Sequence, residues 1–170
     1  MERISLEEFR ALFRQHGDAI HLESKETYSV SHEDEPFRRF MAGEEDDEQW
    51  GADYFRVIRD ATDRGTAVRR VRVVTEPLND YARFLLHITP GNIAAGEDVR
   101  YLPRGNAADI DLPDDDCWLF DQDKLILTRF DERVTGFVVS DDPNQVKTYR
   151  EACSQVWQRA VPYAEYVHGR

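Results

Sequence analysis

The stretch from Thr66 to Arg104, TAVRRVRVVTEPLNDYARFLLHITPGNIAAGEDVRYLPR, constrains the fold more than any other. Val68, Val71, Val73 and Val74 pattern a strand, and Asn79 or Asp80 can cap a helix running through Leu86. Pro90 and Gly91 are expected to break that helix. Val99 to Leu102 pattern a second strand, which Pro103 ends. Two strands joined by a helix form a unit expected to be parallel and right-handed. Ligands in such sheets sit beyond the carboxyl ends of the strands. Here those ends carry Thr75, Glu76 and the residues after Leu102.

The flanking sequence supplies more of both element types. Ser5 and Glu8 make a capping box before an amphipathic helix marked by Leu6, Phe9, Leu12 and Phe13 and closed by Gly17. Ile20, Leu22, Tyr28 and Val30 alternate around a polar centre, as two short strands or one bent strand would. Pro36 opens a short helix ending at Gly43. The carboxylates of EEDDEQW are expected in the first turn of a third helix, where negative charge meets the positive end of the dipole. Trp50, Tyr54, Val57, Ile58 and Ala61 give that helix its stripe, up to Gly65. Gly105 to Asp116 reads as loop. Cys117 to Phe120, Leu125 to Phe130 and Gly136 to Val139 read as three consecutive strands, with turns at Asp121–Asp123 and Asp131–Arg133. Asp142 caps a last helix with Pro143 at its first position. Val146, Tyr149, Cys153, Val156, Trp157 and Ala160 line one face, and Pro162 stops it. The expected fold class is α/β, a mixed sheet with helices packed on it, in one domain spanning residues 1–170.

Bulk properties exclude several function classes. The chain has 170 residues and a formal net charge of −12. That charge gives it no electrostatic reason to seek phosphate backbones, so neither nucleic acid nor an acidic membrane surface is expected as a direct partner. No apolar run approaches the ~18 residues of a membrane span. The charged start, MERISLEEFRALFRQHG, lacks a signal-peptide core, and a cytoplasmic address follows by elimination. Cys117 and Cys153 each sit among apolar neighbours and read as small buried hydrophobes rather than a disulfide or a reactive thiol. With no CxxC and no Cys/His cluster, neither zinc nor any other cofactor is expected.

Six runs carry a family resemblance: HLESKETYSV, FRRFMAGE, RGTAVRRVRVVTEPLNDYARFLL, AAGEDVRYLPR, WLFD and VWQRAVPYAEY. Together they resemble an actinobacterial family of unknown function whose members are often encoded beside helix-turn-helix regulators. The resemblance implies a regulatory accessory role with such a regulator as partner. It brings no catalytic residue with it. A second resemblance concerns fold: the step from Gly65 into AVRRVRVV, and the late order of strand, WLFD, strand, strand and helix, look like a phospholipase-D-like domain. Those enzymes need His-x-Lys-x-x-x-x-Asp. Aligned on Asp121, this chain has Asp114 at the His position and Asp116 at the Lys position, and two carboxylates there would repel a phosphodiester.

Arg69, Arg70, Arg72, Arg83, Arg100 and Arg104, interleaved with Glu76, Tyr81, Glu97 and Tyr101, form the densest candidate constellation. On a strand Arg70 and Arg72 share a face and Arg69 takes the other. Guanidinium groups beside tyrosines recognise carboxylate or phosphate bidentately and stack on planar rings. The expected ligand site is Arg72, Glu76, Tyr81, Arg83 and Arg100, around one pocket for a small anionic or planar molecule. The competing expectation is internal salt bridging. An enzyme acting on a small acidic substrate, with arginine clamps and Glu76 or Glu97 as base, is the alternative to a non-catalytic sensing domain.

Other features are expected to be bland. Asp109, Asp111, Asp114, Asp115 and Asp116 lack the Gly and terminal Glu of a calcium loop. His16, His21, His32, His87 and His168 have no neighbours at metal-ligand spacing. His32, in SHEDE, reads as surface, and His87 as packed or capping. Trp50, Trp118 and Trp157 read as core. No GxSxG, HExxH or P-loop is present.

Overall fold

The computed structural model describes residues 1–26, 33–46, 49–131 and 134–170. Tyr28, Val30, His32 and part of the Asp131–Arg133 turn lie outside them. The described residues form eight strands: β1 (Glu2–Ile4), β2 (Asp18–Glu23), β3 (Ala67–Val74), β4 (Asp98–Pro103), β5 (Asp116–Phe120), β6 (Lys124–Asp131), β7 (Val134–Ser140) and β8 (Val161–Pro162). They form one mixed sheet in the order β1-β7-β6-β5-β2-β3-β4-β8. β2, β3 and β4 run parallel, while β2 pairs β5 antiparallel. β2 is therefore the seam between a parallel half and an antiparallel meander.

Among the described residues six α-helices accompany the sheet: α1 (Leu6–Gln15), α2 (Asp34–Met41), α3 (Ala52–Asp63), α4 (Asp80–Ala94), α5 (Pro143–Arg159) and α6 (Tyr163–His168). Their starts follow the local chemistry. Ser5 and Glu8 close the capping box of α1, Asn79 Oδ1 accepts from Ala82 N at the start of α4, and Asp142 caps α5 with Pro143 in its first turn.

Strand alternation divides the core in two. On one face Ile20, Leu22, Val71, Val73, Leu119 and Leu127 pack against Val146, Tyr149, Cys153 and Val156 of α5. On the other, Ala19, Val68, Trp118, Phe120 and Ile126 pack against Phe9, Leu12 and Phe13 of α1 and Ile58 and Ala61 of α3. α4 adds Phe84, Leu85 and Ile88 to a third cluster with Phe37, Phe40, Trp50 and Tyr81.

Two local expectations are corrected. Pro90 and Gly91 do not end α4, which continues to Ala94. Burial of Ile88, Thr89 and Asn92 on one face outweighs the lost backbone bond, and Pro90 itself is exposed. The helix ends instead at Gly96, whose φ of +108° is open only to glycine at little cost. Glu44, Glu45 and Asp46 precede α3 rather than forming its first turn. That helix begins at Ala52 after a 3-10 turn over Gln49–Gly51. The short elements β1, β8 and α6 carry too few apolar residues to give a periodic signal. Among the described residues, no helix is long and apolar enough to cross a membrane.

Candidate functional site

The polar residues of the parallel half meet on one face of the sheet. Parallel register sets Glu23 opposite Arg72 and His21 opposite Arg70. Because each pair is two residues from the next, all four side chains fall on the face covered by α1, α3 and α4. Arg72 Nε donates to Glu23 Oε2 at 2.5 Å, and Arg70 Nη1 donates to Glu23 Oε1 at 2.9 Å. Arg70 also donates to Glu97 Oε1 (3.1 Å) and to the Tyr54 hydroxyl (2.6 Å), which itself donates to Glu97 at 2.9 Å. Asn92 Nδ2 donates to the second Glu97 oxygen. Arg72 Nη1 reaches the Leu85 carbonyl, Thr89 Oγ1 and the Tyr101 hydroxyl.

This is a buried network in which two guanidiniums meet two carboxylates. Glu23 shows the balance of forces. Burial favours its neutral acid, but the neighbouring Arg72 and Arg70 guanidiniums, helped by His21, hold the carboxyl well below its usual range. Burial pushes the Tyr54 hydroxyl well up, and the Glu97 carboxylate adds to this against Arg70. Neither group is poised to exchange a proton near neutral pH.

Above the network opens a cleft of about 470 Å³. Its floor crosses β3, β2, β5, β6 and β7 through Arg70, Arg72, His21, Glu23, Trp118, Thr128 and Phe137, and its walls include Phe9, Phe13, Trp50, Tyr54, Phe55 and Asn92. The His21 ring stacks on Trp118 at 4.4 Å and 6°. Its Nδ1–H donates to the Cys117 carbonyl at 2.7 Å, and Nε2 lies 3.3 Å from Glu23 Oε1. Phe9 stacks on Phe137 at 4.1 Å. Two buried polar atoms of this lining have no hydrogen-bond partner: Thr128 Oγ1 and Asn92 Oδ1.

The five residues expected to share a pocket are not brought together. Arg72 and Tyr81 line the cleft. They also line a second recess of about 30 Å³ at the carboxyl end of β3, room for a water-sized group. Tyr81 donates to Glu33, and burial pushes its hydroxyl well up. Glu76 accepts from the Tyr166 hydroxyl at 3.0 Å and pairs with Arg170. Arg83 is exposed and pairs with Asp80 on its own helix. Arg100 lies on the opposite face, donating to the Trp157 carbonyl at 3.2 Å with its guanidinium 4.0 Å from the ring centroid. The reason is register: Arg72 pairs with Tyr101, so Arg100 aligns with Val71 and points the other way. Arg69, also on that face, pairs with Asp18 at 3.0 Å.

The residues that sequence reasoning missed are His21, Glu23, Tyr54, Asn92, Trp118, Thr128 and Phe137. One signal was readable for two of them: His21 and Glu23 are polar at i and i+2 within the apolar frame of Ile20 and Leu22, the same spacing as Arg70 and Arg72. The carboxylates of ADIDLPDDD serve structure. Asp109 pairs with Arg159, Asp115 with Arg129 and Lys25, and Asp116 accepts from Ser24 N. Among the described residues no group of His, Cys, Asp and Glu is arranged to hold a metal ion.

A family model described as Domain of unknown function (DUF6879) matches residues 7–168. The chain belongs to the DUF6879 family. The match runs from the second residue of α1 to the end of α6, so every residue lining the cleft except Leu6 lies within the DUF6879 domain. A comparison with curated proteins finds no match.

Proposed function

We propose that this DUF6879 chain is a non-catalytic sensing domain, with the aromatic cleft over β2 and β3 as its effector site and a helix-turn-helix DNA-binding regulator as its partner. The observation that carries the reading is the combination of an open cleft with a floor whose charges are already satisfied. A volume of about 470 Å³ falls in the range of small-molecule sites, ~300–1,000 Å³. Aromatic walls offer stacking surface for a planar molecule. Arg70 and Arg72 each hold a carboxylate of the chain, so they are not free clamps for an acidic substrate, and the ligand class narrows from anionic or planar to planar.

The enzymatic alternative loses its bases on the same ground. Glu97 is engaged by Arg70, Tyr54 and Asn92, and Glu76 by Tyr166 and Arg170. Asp121, the residue that the phospholipase-D-like alignment would use, accepts from His16, Gly17 N and Asp18 N at the opposite end of β2. The regulatory role and the actinobacterial setting rest on the sequence resemblance, and the order of β5, β6, β7 and α5 is compatible with the phospholipase-D-like likeness.

Thermal-shift screening of planar aromatic compounds tests the site. A true ligand at ~100 times its dissociation constant adds ~2.7 kcal/mol of stability. Binding should quench Trp118 and disappear in Val57→Trp, which fills the cleft from α3. Mixing with a helix-turn-helix regulator encoded beside a DUF6879 member should then give a complex whose DNA affinity changes with that ligand. Metal-free turnover of a phosphodiester, lost on Asp121→Ala, would overturn the reading.

A further inference from the structure

Thr128 and Asn92 define what the cleft accepts. Each is only 4% exposed, each lines the cleft, and each presents an oxygen with no partner. A buried polar atom left unpaired costs about 1–3 kcal/mol, so a fold that retains two of them in one cavity gains when a bound molecule satisfies them. Their chemistry differs. Asn92 already donates its amide to Glu97, which fixes Oδ1 as the free group, an acceptor only. The Thr128 hydroxyl can donate or accept.

Their placement differs as well. Thr128 stands on β6, directly across from Phe137 on β7. Asn92 is tied through Glu97 to Arg70 on β3. Between β6 and β3 lie β5 and β2, hence three inter-strand spacings, roughly 14 Å. The surface between them is the stacked His21–Trp118 pair, with both His21 nitrogens already engaged. Six charged groups line the cleft, Arg10, Arg70 and Arg72 against Glu23, Glu33 and Asp53, so its lining carries balanced formal charge and no net attraction for a charged ligand.

We propose that the cleft binds an elongated, flat, uncharged aromatic molecule, with an O–H or N–H at one end donating to Asn92 Oδ1 and a polar group at the other bonding Thr128 Oγ1. The inference rests on the effector-site reading above and specifies its ligand class.

A matched series tests it: 4,4′-dihydroxystilbene, unsubstituted stilbene and stilbene-4,4′-dicarboxylate, titrated into the full chain and followed by Trp fluorescence and calorimetry. The dihydroxy compound should bind at least about tenfold more tightly than either relative, the size expected of a hydrogen bond to a buried group. Thr128→Val should weaken the dihydroxy compound by about tenfold and leave stilbene unchanged. It should not lower the melting temperature, because the lost hydroxyl has no partner in the free protein. Tighter binding of the dicarboxylate, equal binding of stilbene, or an unaltered affinity in Thr128→Val overturns the ligand class while leaving the effector site standing. Failure of all three compounds to bind overturns both.

Discussion

Glu23 and Arg72 are register partners on neighbouring parallel strands, and they meet through a 2.5 Å charge-assisted hydrogen bond on the cleft side of the sheet. Arg70 reaches the other oxygen of the same carboxylate. One side chain on β2 therefore bridges two cations on β3, with Glu97 as the second counter-ion. Glu23→Gln should cost about 3–5 kcal/mol, because it leaves buried guanidinium charge without its counter-ion. The urea midpoint measures it.

The same carboxylate sets an acid limit. Its folded pKa is depressed, so its contribution is complete above the unfolded value of ~4.3 and is lost as pH falls through the lower folded value. Wild type should hold its stability down to about pH 4 and lose it below, and Glu23→Gln should flatten that acid limb. A stability profile that rises on acidification would contradict the sign.

Asp121 makes a second, exposed contribution of the same sign. The hydrogen bond with His16 lowers its pKa most, burial works against it, and the Asp18 and Gly17 amides add to the lowering. Asp121 adopts φ +49°, a conformation that Asn also tolerates, so Asp121→Asn removes the charge without straining the hairpin. A small drop in melting temperature at pH 7 that shrinks as pH falls below about 4 is the expected result.

The Cys117 and Cys153 sulfurs lie 3.9 Å apart, both reduced and buried. The contact with Cys153 raises the Cys117 thiol well above its usual value, and burial adds to it. Both thiols should resist an aromatic disulfide reagent in the native state at pH 8 and react in denaturant. Rapid native labelling would show that α5 lifts from β5.

Arg100 and Trp157 form the closest cation–π contact among the described residues, at 4.0 Å. A double-mutant cycle of Arg100→Ala and Trp157→Ala should give a coupling of about 1–2 kcal/mol, since the pair is partly desolvated. A coupling near zero would mean that Trp157 acts through packing on α5 alone.

The sheet was legible where one strong local rule decided an element. Val68 to Val74, the capping box at Ser5, the Asp142–Pro143 start and the three-strand meander all appear as the sequence predicts. The Pro90 break failed because a local backbone preference competed with burial of three neighbours, and burial won. The site was half legible. Spacing showed that Arg70 and Arg72 share a face, but not that Arg100 lies behind the sheet, since a parallel register is set by packing rather than by either strand's own pattern. Thr128, Phe137 and Asn92 carried no signal, because their neighbours in the cleft are far away in sequence.

Arg72 also fixes the mechanics of α4. The Leu85 carbonyl accepts from Arg72 and from Thr89 Oγ1, so the first half of that helix is bolted to β3. One residue later, Pro90 withholds the amide that would have bonded the Leu86 carbonyl. The helix is thus anchored to β3 through Leu85 before the missing bond and, beyond it, through Asn92 and Glu97. If the cleft holds the proposed ligand, a bond to Asn92 would bear on the one turn of α4 that lacks a backbone hydrogen bond and that leads through Gly96 into β4.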